Sequence, residues 1–251
     1  MKKFSFLLVT LLSLMSCSEE RDLSGFGTLQ IVINASYGGV PLFLGNSYDY
    51  FGNGSVKFTK AEFFLSQLTA IGESSAVVFK DVDYVSILAH NLTLQDALDG
   101  LTLNYLVPGG FYKGISFNIG VTPAQNKTKP VDYSPSSPLG EGTHYWAGWN
   151  SYIFSKIEGV LDTGGAKTYD LGFAIHTGTD ECLATLTVTK NFTISEEQTT
   201  GLGLDLDVRR VFQDNGQFFN LANSPLNHNP ANIGVLKLFA ASLAQAIQIK
   251  N

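Results

Sequence analysis

Apolar and polar residues alternate with a period of two through most of the chain, beginning with Thr28-Leu29-Gln30-Ile31-Val32-Ile33. Gly, Asn, Asp or Pro closes nearly every such stretch. A two-residue period puts one set of side chains on one face of an extended segment, so the pattern predicts strands joined by turns. The segments that carry it are residues 28–33, 55–58, 63–71, 76–79, 84–87, 101–106, 112–119, 152–161, 168–175, 183–188 and 201–208. Few windows between them could hold a crossover helix, so the expected class is all-β, an antiparallel β-sandwich. Two windows read as helix. Residues 92–98 suit a short turn, and residues 234–249 place Leu236, Phe239, Ala240, Leu243 and Ile247 on one face at helical spacing. Ile247 and Ile249 at the end of the second window also suit a last strand. Residues 122–143 carry Pro123, Pro130, Pro135 and Pro138, which forbid a central strand or a helix interior, so a long Pro-rich loop is expected there. A loop of that length points to a binding surface or a mobile excursion.

The N-terminus follows a different grammar. Lys2 and Lys3 precede an apolar run from Phe4 to Met15, and small Ser16 stands directly before Cys17. The run is a secretory leader too short to span a bilayer, and its last four residues resemble the processing box of bacterial lipoproteins. Residues 1–16 are therefore read as a lipoprotein signal peptide, Cys17 as the lipidated first residue, 17–26 as a tether, and 27–251 as a single β-sandwich domain. Acyl chains on Cys17 would hold the protein to the lipid bilayer without a transmembrane helix. Ser18-Glu19-Glu20 resembles the acidic export signal of surface lipoproteins, which gives an outer-membrane, surface-exposed expectation. The 251 residues carry 16 basic and 22 acidic side chains, a formal charge of −6, and loss of Lys2 and Lys3 with the leader makes the exported part more acidic still. That balance excludes a partner that must neutralise phosphates, so nucleic acid is not expected. With Cys17 as anchor, Cys182 lacks a disulfide partner and reads as a small buried hydrophobe.

Signatures of common enzymes are absent: there is no Gly-x-Ser-x-Gly, no phosphate-cradling Gly-rich loop ending in Lys-Ser/Thr, no His-Glu-x-x-His and no Cys-x-x-Cys. No catalytic residue is assigned, and the protein is not expected to be an enzyme. The informative residues are four histidines in a chain with only 15% charged residues. Neutral imidazole is a strong ligand for copper and zinc. His144 opens His144-Tyr145-Trp146-Ala147-Gly148-Trp149, a stretch that holds both tryptophans of the chain. His176 lies where a strand leaves the sheet, a place from which a ligand can project. His228, in Asn227-His228-Asn229-Pro230, reads as a solvent-facing turn residue, and His90 has the weakest functional case. The expected metal set is His176, His144, Trp146 and Trp149. The competing reading is a non-metal module for a glycan, peptide or protein, with Trp146, Trp149, Tyr145 and Tyr133 as an aromatic platform.

Four segments carry a family resemblance: Phe58 to Leu68 (FTKAEFFLSQL), Tyr112 to Val121 (YKGISFNIGV) with Asn126, Trp146 to Gly159 (WAGWNSYIFSKIEG), and Phe173 to Gly178 (FAIHTG). Together they resemble the MbnP family of methanobactin-associated and MopE-like copper-binding envelope proteins, which includes Bacteroidetes-type lipoproteins. The resemblance implies a β-sandwich that holds copper through histidine imidazoles and a tryptophan oxidised to kynurenine. It also implies a maturation partner, a di-haem protein related to cytochrome c peroxidases. By position His176 takes the histidine role, and Trp146 or Trp149 that of the oxidised tryptophan. The chain departs from the family pattern at the tryptophans, which Ala147 and Gly148 separate where one residue is usual. The copper-binding form also carries a histidine two residues after the modified tryptophan, whereas Gly148 or Ser151 stands there in this chain. His144, two residues before Trp146, is the expected substitute, because alternate strand positions share a face.

Overall fold

The computed structural model describes residues 25–50, 53–214 and 217–250, so the leader, Cys17 and the tether up to residue 24 lie outside the described residues. The long strands are β1 (Phe26–Tyr37), β2 (Ser55–Ile71), β3 (Ala76–Ser86), β4 (Leu101–Pro108), β5 (Gly110–Ile119), β6 (Ser151–Asp162), β7 (Leu171–Gly178), β8 (Ala184–Ile194) and β9 (Thr199–Asp207). The helices are α1 (Ile87–His90), α2 (Leu94–Asp99), α3 (Pro123–Asn126) and α4 (Ile233–Ala246), and a short β10 (Ile247–Ile249) follows α4. In one sheet β1 lies between β9 and β4, and β9 pairs onward with β10. The other sheet has the order β8-β5-β2-β6-β7, with β3 also hydrogen-bonded to β2. The class is mostly β and sandwich-like, as the alternation requires. Antiparallel pairing is not universal, however: β1 and β9 run parallel from Thr28↔Thr199 to Ser36↔Asp207, and β7 runs parallel to the two-residue strand Leu226–Asn227.

Several expected segments prove to be parts of longer elements. Residues 55–58 and 63–71 are one strand, β2, kept continuous by a bulge between Phe58 and Lys60, and 76–79 and 84–87 lie on β3 and the start of α1. The window at 92–98 is α2, whose start is fixed by a reciprocal capping box. Thr93 accepts from the Asp96 backbone N–H, and the Asp96 carboxylate accepts from that of Thr93. Both readings of the C-terminal window hold in succession, because α4 ends at Ala246 and the isoleucines that follow pair with β9 as β10. The Pro-rich loop is a chain of short turns, α3 and three 3-10 turns at Pro130–Asp132, Pro138–Gly140 and Gly142–His144.

The packing explains where the site can form. The inward residues of the sheets, among them Leu29, Ile31, Phe58, Phe63, Ile115 and Leu204, make the main core with Phe239 and Leu243 of α4. A second apolar cluster lies on the other face of the larger sheet. There Phe64, Tyr152 and Phe154 meet Val121, Leu139, Cys182 and the α4 residues Leu236 and Ala240. The Pro-rich loop, through Leu139, and one stripe of α4 thus cover the middle of that sheet. β6 is accordingly buried on both faces, which is why its residues 151–157 are all buried. The loop is tied to this cluster by the burial of Leu139, and Tyr152 Oη donates to Leu139 O at 2.8 Å. Cys182 is buried within this cluster, and burial pushes its thiol pKa up. Among the described residues, no helix is long and apolar enough to cross a membrane.

Candidate functional site

Strand register sets the site. At one level of the larger sheet Ser86 of β3 pairs with Glu62 of β2, Glu62 with Lys156 of β6, and Lys156 with His176 of β7. These residues stand on the face opposite the main core, beside Phe64 and Tyr152. The parallel bridge Ala174↔Leu226 and Ile175↔Asn227 carries the same row one step further and sets His228 next to His176. The segment that brings His228 in is pinned: Asn227 is buried, its Nδ2 donates to Ser224 O at 2.6 Å, and Ala174 N donates to Pro225 O at 2.9 Å.

The tryptophans come from a hairpin just before β6, in which Tyr145 and Trp146 pair with Tyr152 and Ser151. Trp149 N donates to Trp146 O, and Asn150 adopts a left-handed conformation at φ 51° to reverse the chain. The two indoles stack, with centroids 5.0 Å apart and planes 10° from parallel. Two glycines give them room. A Cβ on Gly178 would sit 2.5 Å from Trp149 Cζ3, and a Cβ on Gly148 would sit 3.1 Å from Trp146 Nε1.

A buried polar knot locks this hairpin to the end of β7. Asn126 Oδ1 accepts from Ser151 Oγ at 3.0 Å and from Tyr152 N at 2.9 Å, and Asn126 Nδ2 donates to Asp180 Oδ1 at 2.9 Å. Ser151 Oγ in turn accepts from Thr179 N at 2.9 Å.

At the centre, the ring of Trp146 lies 6.4 Å from that of His176 and 5.4 Å from that of His228, and the two imidazoles are 5.9 Å apart. His176 Nε2 lies 2.8 Å from Glu158 Oε1, while its buried Nδ1 has no hydrogen-bond partner. Burial holds the His176 pKa below the ordinary histidine value against the pull of Glu158, with His228 and Lys156 adding to the depression. Burial would raise the Glu158 carboxyl, but hydrogen bonds from His176 and Lys60 outweigh it and keep its pKa below the usual range. With Nε2 engaged by the Glu158 carboxylate, Nδ1 is the ring nitrogen left without a partner in the protein. A carboxylate on one ring nitrogen that frees the other is the usual support of a metal-binding histidine. Lys156, behind the site, donates to Thr143 O at 2.9 Å and lies 4.0 Å from Glu62. Glu62 also accepts from Tyr84 and Ser86. These carboxylates are thus already engaged.

The donor set is consistent with copper held by few nitrogens. Two metal–nitrogen bonds of about 2 Å allow imidazole centroids to stand up to about 6 Å apart, and His176 and His228 are within that reach. Among the described residues, no group of three or more His, Cys, Asp or Glu side chains is gathered to hold an ion.

Of the residues expected to form the site, the structure brings Trp146, Trp149 and His176 together and sets His144 in other company. The His144 ring stacks on Tyr84 at 3.8 Å, meets Phe64 edge-on, and directs Nδ1 at Pro138 O. It tops the second apolar cluster, and burial lowers its pKa. Sequence reasoning missed Glu158 and treated His228 as a turn residue. Glu158 stands two residues after Lys156 on the same strand face, a signal readable once β6 is aligned with β7. The placement of His228 depends on a two-residue parallel bridge that has no periodic signature.

The MbnP family model matches residues 26–231. The chain belongs to the MbnP family. Among solved structures it is similar to MbnP from Methylosinus trichosporium, with 11% identity, 77% of this chain and 80% of that chain covered, and a TM-score of 0.47. Comparison with curated proteins gives no match.

Proposed function

We propose that this MbnP-family protein binds copper in the cell envelope, anchored to the bilayer through acylated Cys17, and that it takes up or hands on the ion without catalysing a reaction. The observation that carries this reading is His176. Its Nε2 is held by Glu158, and its buried, unpartnered Nδ1 lies on the side of the sheet shared with Trp146. Trp146 is the residue in place for the oxidation to kynurenine that the family resemblance implies, by a di-haem partner. Trp149, stacked on its face, would shield it and hold its orientation. An oxidised Trp146 would add an aromatic amine and a carbonyl beside the imidazoles, a nitrogen-rich set suited to copper. Lys60 and Glu158 do not bind the ion in this reading; Glu158 holds His176 by its Nε2, and Lys60 holds Glu158.

The alternative of a glycan or peptide platform has less support, because each indole covers one face of the other and Trp146 also meets two imidazoles. The test is copper titration of the full-length protein and of His176→Ala, with intact-mass analysis of Trp146 and Cys17. Tight binding by the wild type and its loss in the variant are expected. Equal, weak binding by both would overturn the proposal.

A further inference from the structure

We infer that His228 is a copper ligand in this protein, occupying the role that the copper-binding family pattern gives to a histidine two residues after the oxidised tryptophan. The inference rests on the copper reading above and adds the residue that completes it. Counted from Trp146, the pattern's histidine position is Gly148. A side chain at that position would crowd the Trp146 ring. A Cβ at Gly148 would lie 3.1 Å from Trp146 Nε1, so a side chain there needs the stacked indole to give by a few tenths of an ångström.

His228 reaches the same space from a different strand. The parallel register 174↔226 and 175↔227 brings residue 228 beside residue 176, and both rings lie against Trp146. Their centroid separation of 5.9 Å is within what two bonds of about 2 Å to one ion permit. The backbone around His228 is prepared in advance. Asn227 is buried and bonded to Ser224 on one side, and Asn229 caps the turn at Pro230–Asn232 by accepting from Ala231 N on the other. An imidazole on a loop fixed at both flanks loses little freedom when it binds an ion, and such preorganisation favours a ligand over a solvent-facing turn residue.

The experiment uses the full-length chain and copper(I) alone, titrated against a chromophoric chelator, for the wild type, His176→Ala, His228→Ala and His144→Phe. The expected result is at least a tenfold loss of affinity in both His176→Ala and His228→Ala, with wild-type affinity in His144→Phe. Free imidazole should restore part of the affinity to His228→Ala, which a merely structural role would not allow. X-ray absorption of the loaded proteins should show one fewer imidazole in His228→Ala. If alanine lowers the thermal midpoint of the copper-free protein, His228→Gln gives the same comparison with the ring removed and the loop filled. Wild-type affinity in His228→Ala, with binding lost in His176→Ala, would overturn this inference and leave the copper reading standing. Absence of tight binding in the wild type would overturn the copper reading, and this inference with it.

Discussion

Asn126 tests whether the Trp hairpin is held by the buried polar knot or by its own turn. Its Oδ1 is the partner of the Tyr152 backbone N–H, and Tyr152 is fully buried, so truncation leaves that donor without water or protein to satisfy it. An unsatisfied buried donor costs about 1–3 kcal/mol, and each of the hydrogen bonds lost to Ser151 and Asp180 contributes about 0.5–1.5 kcal/mol. Ser151 keeps the Tyr152 carbonyl and the Thr179 N–H as partners, so the loss stays below the simple sum. Asn126→Ala is therefore expected to destabilise by about 3 kcal/mol, which for a protein of this size is a fall in Tm of roughly 6–12 °C. Asn126→Asp separates the two sides of the knot. It keeps an acceptor for Ser151 and Tyr152 but sets a second carboxylate against Asp180, where an N–H now lies at 2.9 Å. The exposure of Asp180 moderates that repulsion. The deficit of Asn126→Asp should thus be smaller at neutral pH and should shrink as pH falls and one carboxylate takes up a proton, whereas that of Asn126→Ala should not. Urea unfolding at two pH values gives both quantities. An Asn126→Ala protein within about 0.5 kcal/mol of wild type would refute the claim that the knot, and not the turn alone, fixes the hairpin.

Two further expectations follow from the same geometry. Gly178→Ala puts a methyl group into the Trp149 ring and near Tyr152 O, so it should cost about 1–3 kcal/mol in urea unfolding as overpacking does, and should change the near-UV circular dichroism of the stacked indoles; an unchanged spectrum would refute the packing. The Asp96 carboxyl, held below its ordinary pKa by hydrogen bonds from the Thr93 side chain and backbone, contributes to stability above the ordinary carboxylate range, and the contribution is lost as pH falls through the depressed value. Its NMR titration midpoint should rise toward the ordinary value in Thr93→Val, and an unmoved midpoint would show that the cap does not set it.

Much of the fold could be read from period-two alternation because an all-β chain buries one face of each strand. The pattern on β1 and β9 reports that burial whichever way the neighbouring strand runs, so it could not show that this pair is parallel. On β6 it located the strand but could not show that both faces are buried. Residues 151–157 face apolar surroundings on both sides, and the second side is supplied by Leu139 from a Pro-rich loop and Leu236 from a helix distant in sequence. Of the five apolar positions assigned to one face of the C-terminal helix, Leu236, Phe239, Ala240 and Leu243 are buried on α4, as the periodic signal requires, whereas Ile247 is buried as part of β10. At the site, His176 and the tryptophans were legible from local motifs. His144 was expected to share a face with Trp146 because the two are two residues apart, but the 3-10 turn that ends at His144 breaks the strand geometry on which that argument depends.

The departures from the family pattern at the tryptophans become a single change when read in space. With one residue between them, two tryptophans on a strand would point to the same side and leave the intervening backbone extended. Here Ala147 and Gly148 form a tight turn, and the Trp149 N–H closes onto Trp146 O, so the second indole folds back over the first and stacks on it. The stack places the tip of the turn at the edge of the Trp146 indole, where Gly148 leaves the ring undisturbed and a Cβ would crowd it. In the copper reading proposed above, the second imidazole comes instead from another segment. The strand adjoining β7 supplies one at residue 228, in register with His176, on the side of the row away from Lys156. The longer spacing of the tryptophans, the glycine at position 148 and the histidine at position 228 are accordingly expected to depend on one another. A Gly148→His change in the His228→Ala background should fail to restore copper binding unless the hairpin is also shortened by one residue.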